Sequence, residues 1–251
     1  MKKFLKVSFI VLTMVLIASV ASAGTFVNGG FEDGNWNGWT TGGGYWYGGS
    51  VSPTDYLPGG SRYNASVFSA KSEVVTQGID PRSGLNTVYN GTYAARINNY
   101  DPSYHVSAIS QTVTNYTDSH IYFAWAAVLQ QSHSIGDSDY FALKLTDDTK
   151  GDTLYYVSYD SASTPAYFHK SGSWYYSDWQ VQDLDVSNRI GDTFTLTLLG
   201  SDCPYGAHGG YVYLDGFGGT IPQPTVPLPA SVVFLAPGLL GLFGLRKKFS
   251  A

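Results

Sequence analysis

In the stretch "TFTLTLL" (residues 193–199) every second residue is apolar, so Phe194, Leu196 and Leu198 share one side and three threonines the other. A period of two belongs to a β-strand with one dry face and one wet face. "YFALKLT" (140–146) repeats the pattern, setting Phe141, Leu143 and Leu145 against Tyr140, Ala142 and Lys144. "IYFAWAAVL" (121–129) is apolar on both sides and reads as a central strand covered on two faces. "TYAARIN", "VSAISQTVT", "LYYVSY" and "YVYLDGF" read as further strands. Turn signals separate them at Asn90-Gly91, Asp147-Asp148, Gly151-Asp152 and Gly191-Asp192. Charged residues make up only 13% of the chain and aromatics 16%, a balance that favours strands over helices. The expected fold is therefore all-β, an antiparallel β-sandwich over residues 24–219.

The two ends read differently. "MKKFLKVSFIVLTMVLIASVASA" has a basic start, an apolar run and an Ala21-Ser22-Ala23 cleavage site, so residues 1–23 are expected to be a secretory signal helix that is removed. Residues 220–230 form a Pro-rich linker, expected to be extended. Residues 231–251 carry an apolar stretch that ends in Arg246, Lys247 and Lys248, expected to be a C-terminal transmembrane helix with a basic stop. Lys2, Lys3, Lys6 and the three terminal basic residues account for six of 14, which leaves 8 basic against 19 acidic residues and a core charge of −11. Such a surface repels nucleic acid and accommodates neutral sugars and Ca²⁺.

The closing segment resembles the PEP-CTERM sorting signal of exported bacterial proteins. Its parts are a short Pro motif, here Val226-Pro227-Leu228-Pro229-Ala230, then the apolar stretch, then Arg246, Lys247 and Lys248. The Pro-Glu-Pro of that signal is replaced by Val-Pro-Leu-Pro-Ala, as in a variant subclass. The resemblance implies export through the inner membrane and transient anchoring there. It further implies processing by an exosortase-type membrane protease, and a final place at the cell surface or outside the cell among exopolysaccharide and biofilm.

The mature start, "FVNGGFEDGNWNGW" (26–39), reads as a strand followed by a loop. Together with "NGTYAARINN", "SAISQTV" and "GGYVYLDGFGG", in that order, it resembles the galactose-binding-like jelly rolls used by many carbohydrate-binding modules. That resemblance implies a structural Ca²⁺ between the first and last strands, held by Glu32, Asp215 and a carbonyl near Gly30. Asp215 falls on the strand face opposite Val212 and Leu214.

Exposed rings suit sugar stacking, and "GGGYWYGGS" and "SGSWYYSDW" bring Tyr45, Trp46, Tyr47, Trp174, Tyr175 and Tyr176 into Gly- and Ser-rich segments. Rings folded back on the core are the competing reading.

Catalytic signatures are sparse. Cys203 is the only cysteine, so no internal disulfide forms. "CPYGAH" places it near His208, as a fragment of a metal site, a thiol–imidazole pair or plain loop residues. The five histidines form no H-E-x-x-H and no metal-spaced cluster with the cysteine in sequence. Asp183 and Asp185, two apart, would share a strand face without defining a cleft. The expectation is a non-enzymatic surface or matrix protein that contacts exopolysaccharide. A polysaccharide-acting hydrolase and an adhesive protein without sugar affinity are the alternatives.

Overall fold

The computed structural model describes residues 24–224. The signal segment, the Val226–Ala230 motif, the apolar stretch and Arg246–Lys248 lie outside these residues. Among the described residues no helix is long and apolar enough to cross a membrane.

Two antiparallel sheets face each other. The first runs β1 (Thr40–Tyr45), β4 (His105–Val113), β11 (Phe194–Ser201), β6 (Tyr140–Asp147), β7 (Asp152–Asp160), in that spatial order. The second runs β2 (Glu73–Thr76), β3 (Tyr93–Ile97), β12 (Gly210–Gly218), β5 (His120–Gln130), then β9 (Trp174–Tyr176) and β8 (His169–Ser171). A further strand, β10 (Gln180–Asp185), pairs with the first half of β5, and β9 pairs with its second half. Two short helices, α1 (Pro53–Tyr56) and α2 (Ala65–Lys71), sit between β1 and β2.

The period-two patterns fix which side faces in. Phe141, Leu143 and Leu145 of β6 and Phe194, Leu196 and Leu198 of β11 meet Phe123, Trp125, Val212 and Leu214 across the sandwich, all buried. Strand β5 is buried on both faces, as its apolar run requires: Ala126 and Val128 point outward into a second cluster with Trp174, Tyr211 and Tyr213. The expected two-sheet antiparallel sandwich is thus the observed one.

Two expectations about the chain's first part are corrected. Residues 26–39 form consecutive turns, with no strand, because Asn28 and Phe31 take positive φ and close turns through Phe31 N to Asn28 O and Gly34 N to Phe31 O. And "GGGY", expected as an exposed loop, forms most of β1. A Cβ at Gly42 would collide with the carbonyl of Tyr56, and one at Gly44 with that of Arg62, so glycine is what allows the neighbouring backbone to lie on this strand.

Candidate functional site

The outer face of the five-stranded sheet carries a groove beside a short covering segment. Segment 46–57, which includes α1, covers the end of that face where Val106, Ala108 and Leu199 are apolar, by seating Trp46 and Tyr56 on them. The cover stops where β6, β7 and β11 turn polar. A groove of about 570 Å³ opens there, within the range of small-ligand sites. One wall is residues 51–54; the floor is Tyr140, Lys144 and Thr146 of β6, Thr153 and Tyr156 of β7, and Thr195 and Thr197 of β11. A smaller cleft of about 250 Å³ shares Val51 and Tyr140 with it and continues past Ile135 to Asp160.

Tyr156 is 58% exposed, so its ring is available to a partner. Its hydroxyl lies 3.5 Å from that of Tyr140, a phenol whose pKa burial raises. Lys144 and the threonines add donors and acceptors around the two rings. The residues lining the larger groove include no Asp, Glu, His or Cys. Asp160, at the far end of the smaller cleft, is spent on local structure: it accepts the main-chain N–H of Gly136 and Ala162. Asp183 and Asp185 lie on β10, paired with His120 at 2.6 Å and with the Ser187 N–H respectively. Neither lines the groove.

The aromatic residues read from the sequence divide into two sets. Trp46 and Trp174 are 2% and 7% exposed, so neither offers a face to a ligand, which corrects their placement in exposed segments. Trp46 donates its indole N–H to Gly49 O while its ring packs on the sheet; Trp174 lies against Tyr211 and beneath the Arg82 guanidinium. Burial of an indole is favourable once its N–H has a partner, and Gly-rich flanks supply carbonyls. Tyr175 is half-buried with Lys170 over its ring, and Tyr176 packs against His169. Tyr45 and Tyr47 are exposed and roughly parallel, with ring centroids 6.3 Å apart. With Arg62, Tyr63 and Asn64 they line a separate cleft of about 450 Å³ beside the same 46–57 segment. Tyr140, Lys144 and Tyr156 were missed from sequence. Their signal was the outward half of the period-two pattern, read only as the solvated face.

Gly30, Glu32 and Asp215 lie together. A Cβ on Gly30 would stand 3.8 Å from both Asp215 Oδ1 and the Glu32 Cγ. Asp215 sits on the outer side of β12, opposite Val212 and Leu214, yet it is fully buried under loop 89–93. Its Oδ2 accepts the main-chain N–H of Tyr89 and Asn90, and Glu32 accepts those of Thr92 and Tyr93. Gly91, at φ +75°, leaves the space the Glu32 carboxylate fills. Asp215 Oδ1 is buried and meets no hydrogen-bond partner. Burial, opposed by the Asn90 and Tyr89 N–H groups and aided by the Glu32 charge, pushes its pKa up to about 7. An orphaned carboxylate oxygen beside a second carboxylate and a glycine turn is a donor set that fits a hard cation such as Ca²⁺.

The fold and groove define a two-sheet antiparallel β-sandwich with a polar, aromatic-bearing trough on one outer face. No protein-family model matches the sequence, and no curated protein matches it. Among solved structures the chain is similar to a CBM61 module in complex with β-1,4-galactotriose, with TM-score 0.40 and 16% identity over 77% of this chain and 95% of that one. It is also similar to the non-crystalline-cellulose-specific carbohydrate-binding module CBM28, with TM-score 0.38 and 13% identity over 76% and 91%. The enzymatically active domain of bacteriophage CBA120 tailspike protein 4 is similar at TM-score 0.37 and 11% identity, over 78% of this chain and 21% of that one. These likenesses concern the course of the chain; the site rests on its own residues.

Proposed function

We propose that this chain is an exported, non-catalytic protein that binds neutral polysaccharide along the outer face of its five-stranded sheet. The observation that carries this reading is the groove itself. It presents the exposed Tyr156 ring, flanked by Tyr140, Lys144 and four threonines, and its lining holds no carboxylate. A sugar ring sets its C–H face on an aromatic ring and its hydroxyls on surrounding donors and acceptors. Glycosidic cleavage needs two carboxyl groups across the bond, and this lining supplies neither. The acidic charge balance of the core favours a neutral glycan over an anionic one.

Ca²⁺ is proposed as a structural ion on Glu32, Asp215 and a carbonyl near Gly30, where it would tie the first turns to the last strand and supply no chemistry to the groove. Export, and surface placement by an exosortase-type protease, rest on the end segments: the signal-like start and the Val226–Ala230 motif with its basic tail. In that setting the natural ligand is an exopolysaccharide.

The test is retention of the full chain on insoluble and gel-embedded neutral polysaccharides. Retention that Tyr156→Ala and Lys144→Ala abolish supports the groove. Loss in Tyr47→Ala alone moves the ligand to the neighbouring tyrosine cleft. Retention equal in all forms, or absent in the wild type, overturns the reading. Mass spectrometry of the mature C-terminus tests the sorting: a surface protein still ending in Arg246–Lys248 and the last three residues argues against processing.

A further inference from the structure

A second cluster of side chains, sharing no residue with the groove lining, forms where the turn before β12 meets the end of β5. Residues 203–208 close on themselves through two main-chain bonds, Gly206 N to Cys203 O and Cys203 N to His208 O. Gly206 takes φ +72°, with the Tyr104 ring filling the space a side chain would need. This turn brings Cys203 Sγ within 3.6 Å of His208 Nδ1, five positions along the chain. The β12–β5 pairing then supplies a third group. Gln130 N bonds Gly209 O and Gln130 Oε1 accepts Gly209 N, so the chain leaving β5 runs beside His208. It carries His133, whose ring sits edge-on to His208 with centroids 4.9 Å apart.

The donor atoms of His133, Cys203 and His208 all lie within 4.8 Å of one another, the only such group of three metal-ligating side chains among the described residues. The spacing suits a metal. Bonds of about 2.3 Å to sulfur and about 2.0 Å to nitrogen at a tetrahedral angle set S and N roughly 3.5 Å apart. The Cys203–His208 pair is already at that distance. His133 is exposed and can turn its ring toward the pair, while Cys203 is fully buried and holds its place. No disulfide competes for the sulfur, because the chain has no second cysteine.

We propose that Cys203, His208 and His133 form a three-ligand site for a thiophilic divalent transition metal, best matched by Zn²⁺. Two imidazoles and a thiolate form a borderline-soft set, which selects such ions over Ca²⁺ and Mg²⁺. Binding deprotonates the Cys203 thiol, and the released proton goes to buffer while the thiolate sulfur donates to the metal. Three protein ligands at a surface leave a fourth position for water. Ser132 Oγ, 3.2 Å from His208 Nδ1, gives up that contact when the nitrogen takes the metal. The site shares no residue with the groove or with Glu32 and Asp215, so it stands or falls independently of sugar binding.

The experiment titrates the full-length, metal-stripped chain with Zn²⁺ and, separately, Co²⁺, with Ca²⁺ in excess so that any oxygen site is occupied. One saturable equivalent of Zn²⁺ is expected. Co²⁺ is expected to give the visible bands of tetrahedral coordination together with a near-ultraviolet thiolate-to-cobalt band. Cys203→Ser abolishes the thiolate band. His133→Ala and His208→Ala each weaken Zn²⁺ binding at least about 10-fold, the loss that removal of even an outer-shell partner brings. Circular dichroism accompanies each variant. Should Cys203→Ser misfold, His133→Ala carries the test, because its side chain is exposed and its loss leaves the fold intact. Absence of saturable Zn²⁺ uptake by the wild type, or uptake that His133→Ala and His208→Ala both retain in full, overturns the proposal.

Discussion

Asp215 supplies the sharpest quantitative test of the Ca²⁺ reading. It is fully buried, its Oδ1 has no partner, and burial lifts its pKa from an ordinary 3.8 to about 7. The metal-free folded chain therefore binds this proton more tightly than the unfolded chain does. The stability that this proton contributes is complete below the unfolded pKa near 4. It is lost as pH rises through about 7. At about 1.4 kcal/mol per pKa unit the span is worth about 4 kcal/mol, or a fall of roughly 8–16 °C in Tm for a domain of this size. Ca²⁺ reverses the sign, because a cation favours the ionised carboxylate and at 100 times its Kd adds about 2.7 kcal/mol. The assay is thermal unfolding of the full chain and of Asp215→Asn from pH 4 to pH 8, in chelator and in Ca²⁺. In chelator the wild type should lose about 4 kcal/mol more than the variant across that range. In Ca²⁺ at pH 8 the wild type should recover and the variant should not. Parallel pH profiles in chelator would refute the neutral-acid assignment. A wild type indifferent to Ca²⁺ at pH 8 would refute the ion.

Four further outcomes follow from the packing. Trp46→Ala should cost about 3–5 kcal/mol in urea unfolding, because it uncovers Val106, Ala108 and Leu199, whereas Tyr47→Ala, on an exposed ring, should stay within about 0.5 kcal/mol. Gly29→Ala should destabilise by about 1–3 kcal/mol or more, because its Cβ would fall on the Phe217 carbonyl, and it should weaken Ca²⁺ stabilisation at the adjacent Gly30 turn. Asp80→Ala should cost about 3 kcal/mol or more, since Asp80 Oδ2 accepts the buried hydroxyls of Tyr211 and Tyr213 at 2.7 Å each, and both would be left unpaired. Burial raises the Asp80 pKa, but the bonds from Tyr211, Tyr213 and Ser83 outweigh it and hold it below 3.8. Its contribution is therefore present above the unfolded pKa and lost as pH falls through the lower folded value, measurable as a steeper acid limb in wild type than in Asp80→Asn.

The strands were legible where one side of the sheet is dry and the other wet. Phe194, Leu196 and Leu198 alternate with threonines because water reaches one face of β11 and the sandwich core the other. The Gly-rich β1 was illegible for the opposite reason. Its glycines answer to the backbones of Tyr56 and Arg62 lying against the strand, and no local pattern records a close approach. Exposed and buried aromatics were likewise indistinguishable in sequence. Trp46 and Tyr47 are neighbours in similar company just past the end of β1, yet Trp46 packs down on the sheet and Tyr47 stays out in water. The grouping of Cys203 and His208 could be seen in "CPYGAH". His133 could not, because it arrives through the β5–β12 pairing, 70 residues away. The nearness of Glu32 to Asp215 came only from a resemblance, since no spacing rule links positions at opposite ends of a domain.

The same division of polarity explains why the groove lies on one outer face and not the other. The outer side of the seven-stranded sheet carries Tyr211 and Tyr213 beside Ala126 and Val128, large and small apolar surface that water cannot be left on. Leu85 of the loop between β2 and β3, together with Trp174, Tyr176 and Trp179, covers that surface, and Asp80 of the same loop locks it down through the two tyrosine hydroxyls. On the outer side of the five-stranded sheet Val106, Ala108 and Leu199 form one apolar cluster, which a lid of Trp46 and Tyr56 covers. Beyond it, the threonines of β6, β7 and β11 and Lys144 are stable in water and demand no cover. The groove is the step at the lid's edge, with Val51 on the lid side and Tyr140 and Tyr156 on the floor. A trough formed this way needs no moving part to open. Its floor is set by paired strands, so the backbone that carries Tyr140 and Tyr156 is already in place, and under the proposed sugar-binding role little main-chain ordering would oppose binding.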